Sequence, residues 1–345
     1  MPRNSWVIAI VLLLTVALVG CGMKSEADVV EDLSVKSKEG DSYRTHATMY
    51  IQSGQQKQEY DVEVWYQAPH YYRVALNNKA QDVSQIILRN DEGVFVLTPK
   101  DNKHFRFQSN WPDAHGQPYL YQTLVQSIVE DDSRKFETTE DSYVFDVAAN
   151  YKQNQALKRQ QIQLNKNYEP QRMSLLDADG ETLVEVTFDK FESKVKFDSD
   201  AFDMERNMED WGEETATTMS NLETQDHASN DDQVGVLTPN WLPEGTELVS
   251  EHKVAGLNGE GTMFKYGGEK PFTLLQQPVS NAVPAMAGSV GEPVHLDFTV
   301  AVLLEQGDQK QLNWSYDGKD FQLRGALTNE ELTKIAESLY GQSEK

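Results

Sequence analysis

Residues 42–52 read SYRTHATMYIQ, and residues 58–67 read QEYDVEVWYQ. In both stretches apolar or aromatic side chains alternate with polar ones, which is the period of a β-strand that has one face in a core. The polar sequence SGQQKQ between them supplies a turn, so the two stretches predict an antiparallel hairpin. This hairpin decides the fold class, because the sequence that follows it continues the same alternation.

The alternation recurs in further runs as far as residue 191. Two of the links between these runs, NDEG (90–93) and DADG (177–180), are hairpin-turn sequences. The predicted strands are 71–75, 85–89, 94–98, 104–108, 143–149, 157–164, 172–176 and 182–191. Together with the first hairpin they predict a single large antiparallel sheet of roughly ten strands over residues 43–208.

One helix interrupts the strands at residues 117–131, QPYLYQTLVQSIVED. Leu120, Leu124 and Ile128 recur at every fourth position and form an apolar stripe, which Tyr121 and Val125 widen. A sheet with helices on one side of it is an α+β fold, and this is the fold class that we predict.

The chain begins with MPRNSWVIAIVLLLTVALVGCG (1–22), in which a single basic residue precedes an uncharged apolar run. The run is too short to span a bilayer comfortably and has the flanks of an export signal. It ends in Cys21, the only cysteine of the chain, and resembles the lipobox of bacterial lipoproteins. We therefore predict a signal peptide over residues 1–20 and acylation of Cys21. The alternatives are an ordinary secretory signal with a chance cysteine or a single N-terminal membrane anchor.

Two polar segments separate the remaining units. Residues 21–42 predict a lipid-anchored tether with a short helix around residues 27–33. Residues 209–233 are rich in acids, Ser, Thr and Asn, and they predict an acidic linker that lets the next unit move independently.

Residues 234–345 predict a small second α+β domain. Six strand-like runs lead to a C-terminal helix, LTNEELTKIAESLYG (327–341). Thr328 and Glu331 have the spacing of a capping box at the start of that helix.

The charge of the chain limits its partners. The formal net charge is −24, and nucleic acid is not expected as a partner because phosphate binding needs a basic surface. Anionic lipid headgroups would also repel the body of the protein, so attachment to the membrane is expected through the lipid on Cys21.

The sequence contains no recognisable catalytic or metal-binding motif. Its seven histidines lack metal-ligand spacing. GLNGEG (256–261) lacks the Lys-Ser/Thr of a phosphate-binding loop, and DSDAFD (198–203) lacks the glycine and final glutamate of a calcium loop. We predict no enzyme activity, catalytic residue, metal site or cofactor. An enzyme would need a group of residues assembled from distant parts of the fold.

The apolar strand residues allow two interpretations. They can form the packed core of a sheet covered by helices, or they can leave a cavity for an acyl chain or another apolar ligand. The periodicity does not choose between the two. The residues predicted to line such a cavity are Tyr43, Val64, Val96, Phe105, Phe107, Leu120, Leu124 and Ile128.

Three stretches of the N-terminal unit resemble the LolA-type lipoprotein-carrier family, in its membrane-anchored Gram-positive branch. They are VEVWYQAPHYYRVAL (62–76), which contains Pro69 and Arg73, ILRNDEGVFVLTPKDNKHFRFQSNWP (87–112) and LLDADGETLVEVTFDKFESKVKFDSDAFDM (175–204). The whole chain is similar to lipoproteins of endospore-forming bacilli, some of which are associated with sporulation. The C-terminal unit resembles a domain of unknown function found in exported bacterial proteins.

The resemblance implies an antiparallel half-barrel, that is, an unclosed β-barrel, with a helical lid. It also implies that a lipid or acylated protein binds in the hollow. The lipid on Cys21 would hold this chain on one membrane, unlike a carrier that moves between membranes. We therefore expect a lipoprotein on the outer face of the cell membrane that binds a lipid or lipoprotein-type apolar ligand. The alternative is a non-catalytic interaction or regulatory scaffold whose barrel is filled by its own side chains.

Overall fold

The structure is a computed structural model. It describes residues 24–53, 56–78, 83–101, 103–107, 109, 111–112, 117–149, 151, 157–209, 236–256, 259–278, 291–296, 299–316 and 319–340. The predicted signal peptide, Cys21 and residues 210–233 of the predicted linker lie outside the described residues.

The N-terminal unit is an eleven-stranded antiparallel sheet with the order β6-β5-β4-β3-β2-β1-β11-β10-β9-β8-β7. Its strands are β1 (Tyr43–Ser53), β2 (Gln56–Gln67), β3 (Tyr71–Asn78), β4 (Val83–Asn90), β5 (Gly93–Thr98), β6 (Lys103–Phe107), β7 (Lys135–Thr138), β8 (Ser142–Ala148), β9 (Arg159–Asn165), β10 (Pro170–Leu176) and β11 (Thr182–Ser193). The end strands β6 and β7 do not pair with each other in the described ranges, so the barrel is unclosed, as predicted. β7 is the one strand of this sheet that the sequence analysis did not predict.

The predicted first hairpin is confirmed, and its register explains the alternation in the sequence. β1 pairs with β2 from Tyr43 opposite Tyr66 to Ser53 opposite Gln56. Directly opposed residues lie on the same face of a sheet, so the apolar members of both strands point to one side. We call that side the inner face.

Two helices cover part of the inner face. α1 (Glu26–Glu39) begins at a capping box between Ser25 and Asp28 and ends at Gly40, whose φ of 64° is the left-handed conformation that suits glycine. α2 (Tyr121–Glu130) packs against α1. Val29 and Leu33 of α1 are fully buried in the main core, so much of the predicted tether belongs to the folded unit. None of the described helices combines the length and apolar character needed to cross a bilayer.

The outer face of β3–β5 is covered by the chain that follows β11. Ala201 and Phe202 pack there against Ile86, Leu88 and Phe95. β4 is therefore buried on both faces, which explains its continuous apolar run.

The C-terminal unit is a seven-stranded antiparallel sheet with the order β12-β13-β14-β18-β17-β16-β15. Its strands are β12 (Thr246–Gly256), β13 (Gly259–Gly268), β14 (Phe272–Pro278), β15 (Gly291–His295), β16 (Val300–Gln306), β17 (Gln309–Tyr316) and β18 (Lys319–Gly325). α3 (Asn329–Glu337) packs on one face of it and begins at the predicted capping box of Thr328 and Glu331. β15 was not predicted. The α+β fold class of both units is confirmed.

The two sheets are docked on each other, which differs from the independent second domain that we expected from the linker. The side chain of Gln85 on β4 accepts a hydrogen bond from the Val300 backbone N–H at 2.5 Å and donates to its carbonyl at 3.4 Å. Lys103 on β6 forms a buried ion pair with Asp320 on β18. Tyr119 lies 2.8 Å, Oη to Nε2, from His295 on β15.

Candidate functional site

The eight residues predicted to line an apolar cavity come together on the inner face. All eight are buried, with no more than 5% of any of them exposed, and all belong to one continuous apolar cluster. The sequence analysis therefore grouped them correctly in space. Whether they bound an open cavity depends on what else fills the hollow.

Part of the hollow is filled by the second sheet. Val300, Val302 and Leu304 on β16 belong to the same apolar cluster as Phe105 and Phe107 of the half-barrel. Where Val300 and Thr299 meet the inner face, the remaining free volume is only about 10 Å³. A single water needs at least about 10–15 Å³, so the space between these described residues is too small for a ligand.

The other end of the hollow retains a cavity of about 470 Å³. We call it the helix-end cavity, because it lies where the end of α1 and the start of α2 meet β1, β11 and the β9–β10 turn. Its volume is in the range of about 300–1,000 Å³ typical of small-molecule sites. Of the eight predicted cavity residues, Tyr43 is the one among its lining residues.

Aromatic rings form the apolar wall of the helix-end cavity. Tyr43 stacks on Phe191 with ring centroids 5.1 Å apart, and Tyr121 lies edge-on to Tyr43 at 6.0 Å. Val125 of α2 adds an aliphatic side chain to this wall. These four side chains present a largely apolar surface to the cavity.

Hydrogen bonds hold the buried hydroxyl group of Tyr43 in place. The Tyr43 hydroxyl donates to Gln122 Oε1 at 2.8 Å and accepts from the Tyr121 backbone N–H at 3.2 Å. Burial raises the pKa of the Tyr43 hydroxyl well above its usual value, and burial also raises the pKa of Tyr121. Both side chains are therefore uncharged at neutral pH, which suits an apolar occupant.

The rim of the helix-end cavity is polar and is held together by contacts to α1. Lys36 Nζ donates to the Asn167 carbonyl at 3.3 Å, and Lys166 Nζ donates to the Thr139 carbonyl at 2.6 Å. Tyr168, in the β9–β10 turn, hydrogen-bonds Asp32 of α1 through its hydroxyl. The Lys36 and Tyr168 contacts join α1 to the β9–β10 turn, and the Lys166 contact joins that turn to the turn between β7 and β8. Both ammonium groups lie beside the apolar wall.

Most residues of the helix-end cavity were not among the predicted site residues. Tyr121 was recognised as part of the α2 stripe, and Phe191 as the end of a predicted strand. Neither position shows by periodicity that it borders empty space. Lys36 and Tyr168 come together only because α1 packs across the β9–β10 turn.

Arg73, one of the residues that carry the family resemblance, has a structural place on the outer face. Its guanidinium donates to Asn207 Oδ1 at 2.6 Å and to Glu63 Oε2 at 2.7 Å, and it lies over the Trp65 ring at 4.3 Å from the centroid. These contacts attach the segment after β11 to the sheet. Across the described ranges, no group of three or more His, Cys, Asp or Glu residues could hold a metal ion.

Comparison with known proteins identifies the family. Residues 3–202 match the family model described as "Sporulation protein YdcC-like", and residues 236–339 match a domain of unknown function, DUF4367. The chain is also 38% identical over 347 residues to the sporulation protein YdcC of Bacillus subtilis (strain 168), with 99% of both chains covered.

The chain belongs to the YdcC-like sporulation protein family. The predicted similarity to sporulation-associated proteins of bacilli, followed by a domain of unknown function, is thereby confirmed. The YdcC-like match covers the whole half-barrel as far as Phe202, so the helix-end cavity lies within the part of the chain that this family shares.

Comparison with solved structures gave further matches, all with low TM-scores. The MucA/MucB complex of Pseudomonas aeruginosa matches 90% of this chain and 98% of that chain, at 13% identity and a TM-score of 0.32. A LolA superfamily protein from Nitrosomonas europaea matches 51% of this chain and 98% of that chain, at 12% identity and a TM-score of 0.30. A "putative outer membrane lipoprotein-sorting protein domain" from Vibrio parahaemolyticus matches 51% of this chain and 97% of that chain, at 10% identity and a TM-score of 0.30.

Proposed function

We propose that this member of the YdcC-like family is a non-enzymatic lipoprotein linked to sporulation. In this proposal Cys21 carries the lipid, and the protein lies on the outer face of the cell membrane. The half-barrel binds the apolar chain of a lipid or acylated protein in the helix-end cavity. The observation that carries the proposal is the aromatic cavity of about 470 Å³ that remains open beside a filled core.

The chemistry of the cavity favours an amphipathic ligand. Its wall is made of Tyr43, Tyr121 and Phe191. A hydrocarbon chain buried against this wall gains roughly 25 cal/mol of binding free energy for each Å² of apolar surface removed from water. Lys36 and Lys166 lie at its rim, beside Asp41 and Glu169. A hydrocarbon chain with a polar head matches this division between wall and rim better than a wholly polar or a wholly apolar molecule does.

The N-terminal segment would keep the cavity near the membrane. α1 begins five residues after Cys21 and is tied to the half-barrel through Glu26, which pairs with Arg134 at 2.9 Å, and through Asp32. The three residues from Cys21 to Lys24 reach at most about 11 Å when extended. Acylation of Cys21 would therefore place the half-barrel directly at the bilayer surface.

The lipid attachment has a direct test. In the native host, labelled palmitate is expected to be incorporated into the wild-type protein and not into Cys21→Ser. Because Cys21 is the only cysteine, no second thiol can take the label. Label in the Cys21→Ser protein would show that the lipobox interpretation is wrong.

The cavity is tested with a fluorescent fatty acid and two tryptophan variants on α1. Ser37 is exposed and lines the helix-end cavity, so Ser37→Trp places an indole in its mouth without disturbing the core. Val35 is 50% exposed on the same helix and is not among the lining residues, so Val35→Trp is the matched control. We expect Ser37→Trp to weaken binding at least about tenfold and Val35→Trp to leave it unchanged. Equal binding by all three proteins would place the fatty acid elsewhere and would contradict the proposed site.

A second candidate function is a non-catalytic interaction or regulatory scaffold. The specific observation in its favour is that Val300, Val302 and Leu304 already occupy part of the hollow. If the purified protein binds no fatty acid and carries no co-purifying lipid by native mass spectrometry, the scaffold is the better account. Cross-linking in sporulating cells would then identify the proteins with which the scaffold interacts.

A further inference from the structure

A second cavity, of about 240 Å³, lies between the two sheets and is unrelated to the helix-end cavity. One wall is β6 of the half-barrel, through Lys103 and Phe105. The other wall is the C-terminal sheet, where side-chain amides dominate. We call it the amide groove.

The amides lie side by side because of the strand register. Asn313 on β17 is opposite Gln322 on β18, and Gln322 is in turn opposite Leu275 on β14. Opposed residues share a face, and positions two apart along a strand share it too. Gln311 and Gln277 therefore lie on the same face of the sheet, and both line the groove.

The character of this sheet face changes from one strand to the next. Asn313 is opposite Val302, and Gln311 is opposite Leu304, so apolar side chains on β16 stand next to amides on β17. The apolar part is covered by the half-barrel. A sheet face that only packs against another sheet is normally apolar throughout, so packing alone does not account for the amides.

The hydrogen bonds of the groove are incomplete. Asn313 Oδ1 accepts from Gln311 Nε2 at 3.0 Å and from Gln322 Nε2 at 3.3 Å. Asn313 is only 4% exposed, yet its Nδ2 has no acceptor within the part of the chain that the structure describes. Buried polar groups are rarely left unpaired, so the amides beside the groove form a network whose hydrogen bonds are incomplete.

The charged groups at the groove neutralise each other. Lys103 and Asp320 are paired, and Ser315 Oγ donates to Asp320 Oδ1 at 2.7 Å. The groups left to bind a ligand are uncharged amides, each with both donors and acceptors. Hydroxyl and acetamido groups are also both donors and acceptors, and the net charge of −24 opposes an anionic ligand.

We propose that the amide groove binds one sugar ring of a neutral glycan. Gln277, Gln311 and Gln322, which are partly exposed, would hydrogen-bond its hydroxyl or acetamido groups, and Phe105 and Leu275 would contact its apolar face. The volume of about 240 Å³ is below that of drug-sized sites, which matches a single ring whose neighbours remain in solvent. This inference does not depend on lipid binding in the helix-end cavity.

The test measures binding of the N-acetylglucosamine trimer to the full purified chain by ligand-observed NMR and calorimetry. Gln311→Leu replaces one amide of the groove by an apolar side chain of similar size. Gln309→Leu is the matched control, because Gln309 is exposed, lies two residues earlier on β17 and does not line the groove. We expect Gln311→Leu to weaken binding at least about tenfold, and Gln309→Leu to bind like the wild type. Thermal melts of both variants establish that each is folded.

Two results would overturn the proposal. The first is an absence of binding by the wild-type chain, both to the N-acetylglucosamine trimer and to maltotriose, which offers hydroxyl groups alone. The second is binding that Gln311→Leu and Gln309→Leu change equally, which would place the sugar outside the groove. Loss of fatty-acid binding in Ser37→Trp with unchanged sugar binding would support the independence of the two sites.

Discussion

The contact between the two sheets makes a quantitative prediction for Val302→Ala. Val302 is fully buried on β16 and packs in the core of the half-barrel, although it belongs to the C-terminal sheet. The substitution removes two methyl groups at about 0.8 kcal/mol each. The cavity that remains adds to this loss, so we expect about 2–3 kcal/mol of destabilisation.

Hydrogen exchange measured by mass spectrometry locates the effect. A loss of about 2 kcal/mol corresponds to roughly 30-fold faster exchange if the protected amides open through undocking of the sheets. We expect faster exchange in both β16 and β6, because the contact is shared between the two units. Leu303→Ala is the matched control, since Leu303 is buried on the opposite face, in the C-terminal core alone. It should accelerate exchange in β16 and leave β6 unchanged.

The reasoning fails if Val302→Ala leaves the exchange of β6 unchanged while it accelerates exchange in β16. That result would mean that the sheets move as separate bodies in solution. The acidic linker would then act as the sequence analysis expected, and the second sheet would not fill the hollow of the half-barrel.

Three further predictions concern the same core and contact. Gln85→Leu removes the side chain that pairs both backbone groups of Val300, and it should lower the free energy of unfolding by about 1–3 kcal/mol in urea melts; an unchanged midpoint would show that these backbone groups find other partners. Burial lowers the pKa of His295, beside Tyr119, to about 4. As the pH falls below about 6.5, His295 therefore becomes protonated in the unfolded chain while it stays neutral in the folded chain. Neutral His295 thus adds stability above about pH 6.5 that is lost as the pH falls towards 4. Between pH 7 and pH 5 the free energy of unfolding of the wild type should fall by about 1–2 kcal/mol more than that of His295→Gln. Parallel pH profiles of the two proteins would contradict this prediction. Leu124→Arg places a charge at a fully buried position of α2 and should abolish cooperative folding or lower the melting temperature sharply. An unchanged melting temperature together with unchanged fatty-acid binding would show that α2 does not face the core.

The sequence FTVAVLL (298–304) overlaps β16, and it held information about packing that could not be interpreted from the sequence alone. Its apolar residues are nearly continuous, whereas most strands of the chain alternate. The structure gives the reason: Ala301 and Leu303 face the C-terminal core, and Val302 faces the half-barrel. A continuous apolar run indicates burial on both faces, but it does not identify the second surface.

For a similar reason, the sequence predicted which side chains share the inner face but not which of them border the helix-end cavity. Alternation in the strands and the four-residue spacing on α2 assigned Leu120, Leu124 and Phe105 to one apolar face, and the structure places them together. Periodicity reports which way a side chain points. It does not report whether the space in front of it is empty, because that depends on segments distant in sequence, such as α1 and β16.

The sequence by itself determined the local structure and the class of the fold. Alternation with a period of two specified the strands, the glycine-containing turns specified the hairpins, and their order specified an antiparallel sheet, since each of these signals is carried by neighbouring residues. The similarity to a family of sporulation-associated proteins could also be recognised in the sequence. Only the tertiary structure decided that the second sheet fills one end of the half-barrel and leaves the helix-end cavity at the other. That outcome depends on contacts between residues far apart in the sequence, such as Gln85 and Val300, which are 215 positions apart, and no local pattern encodes such pairings.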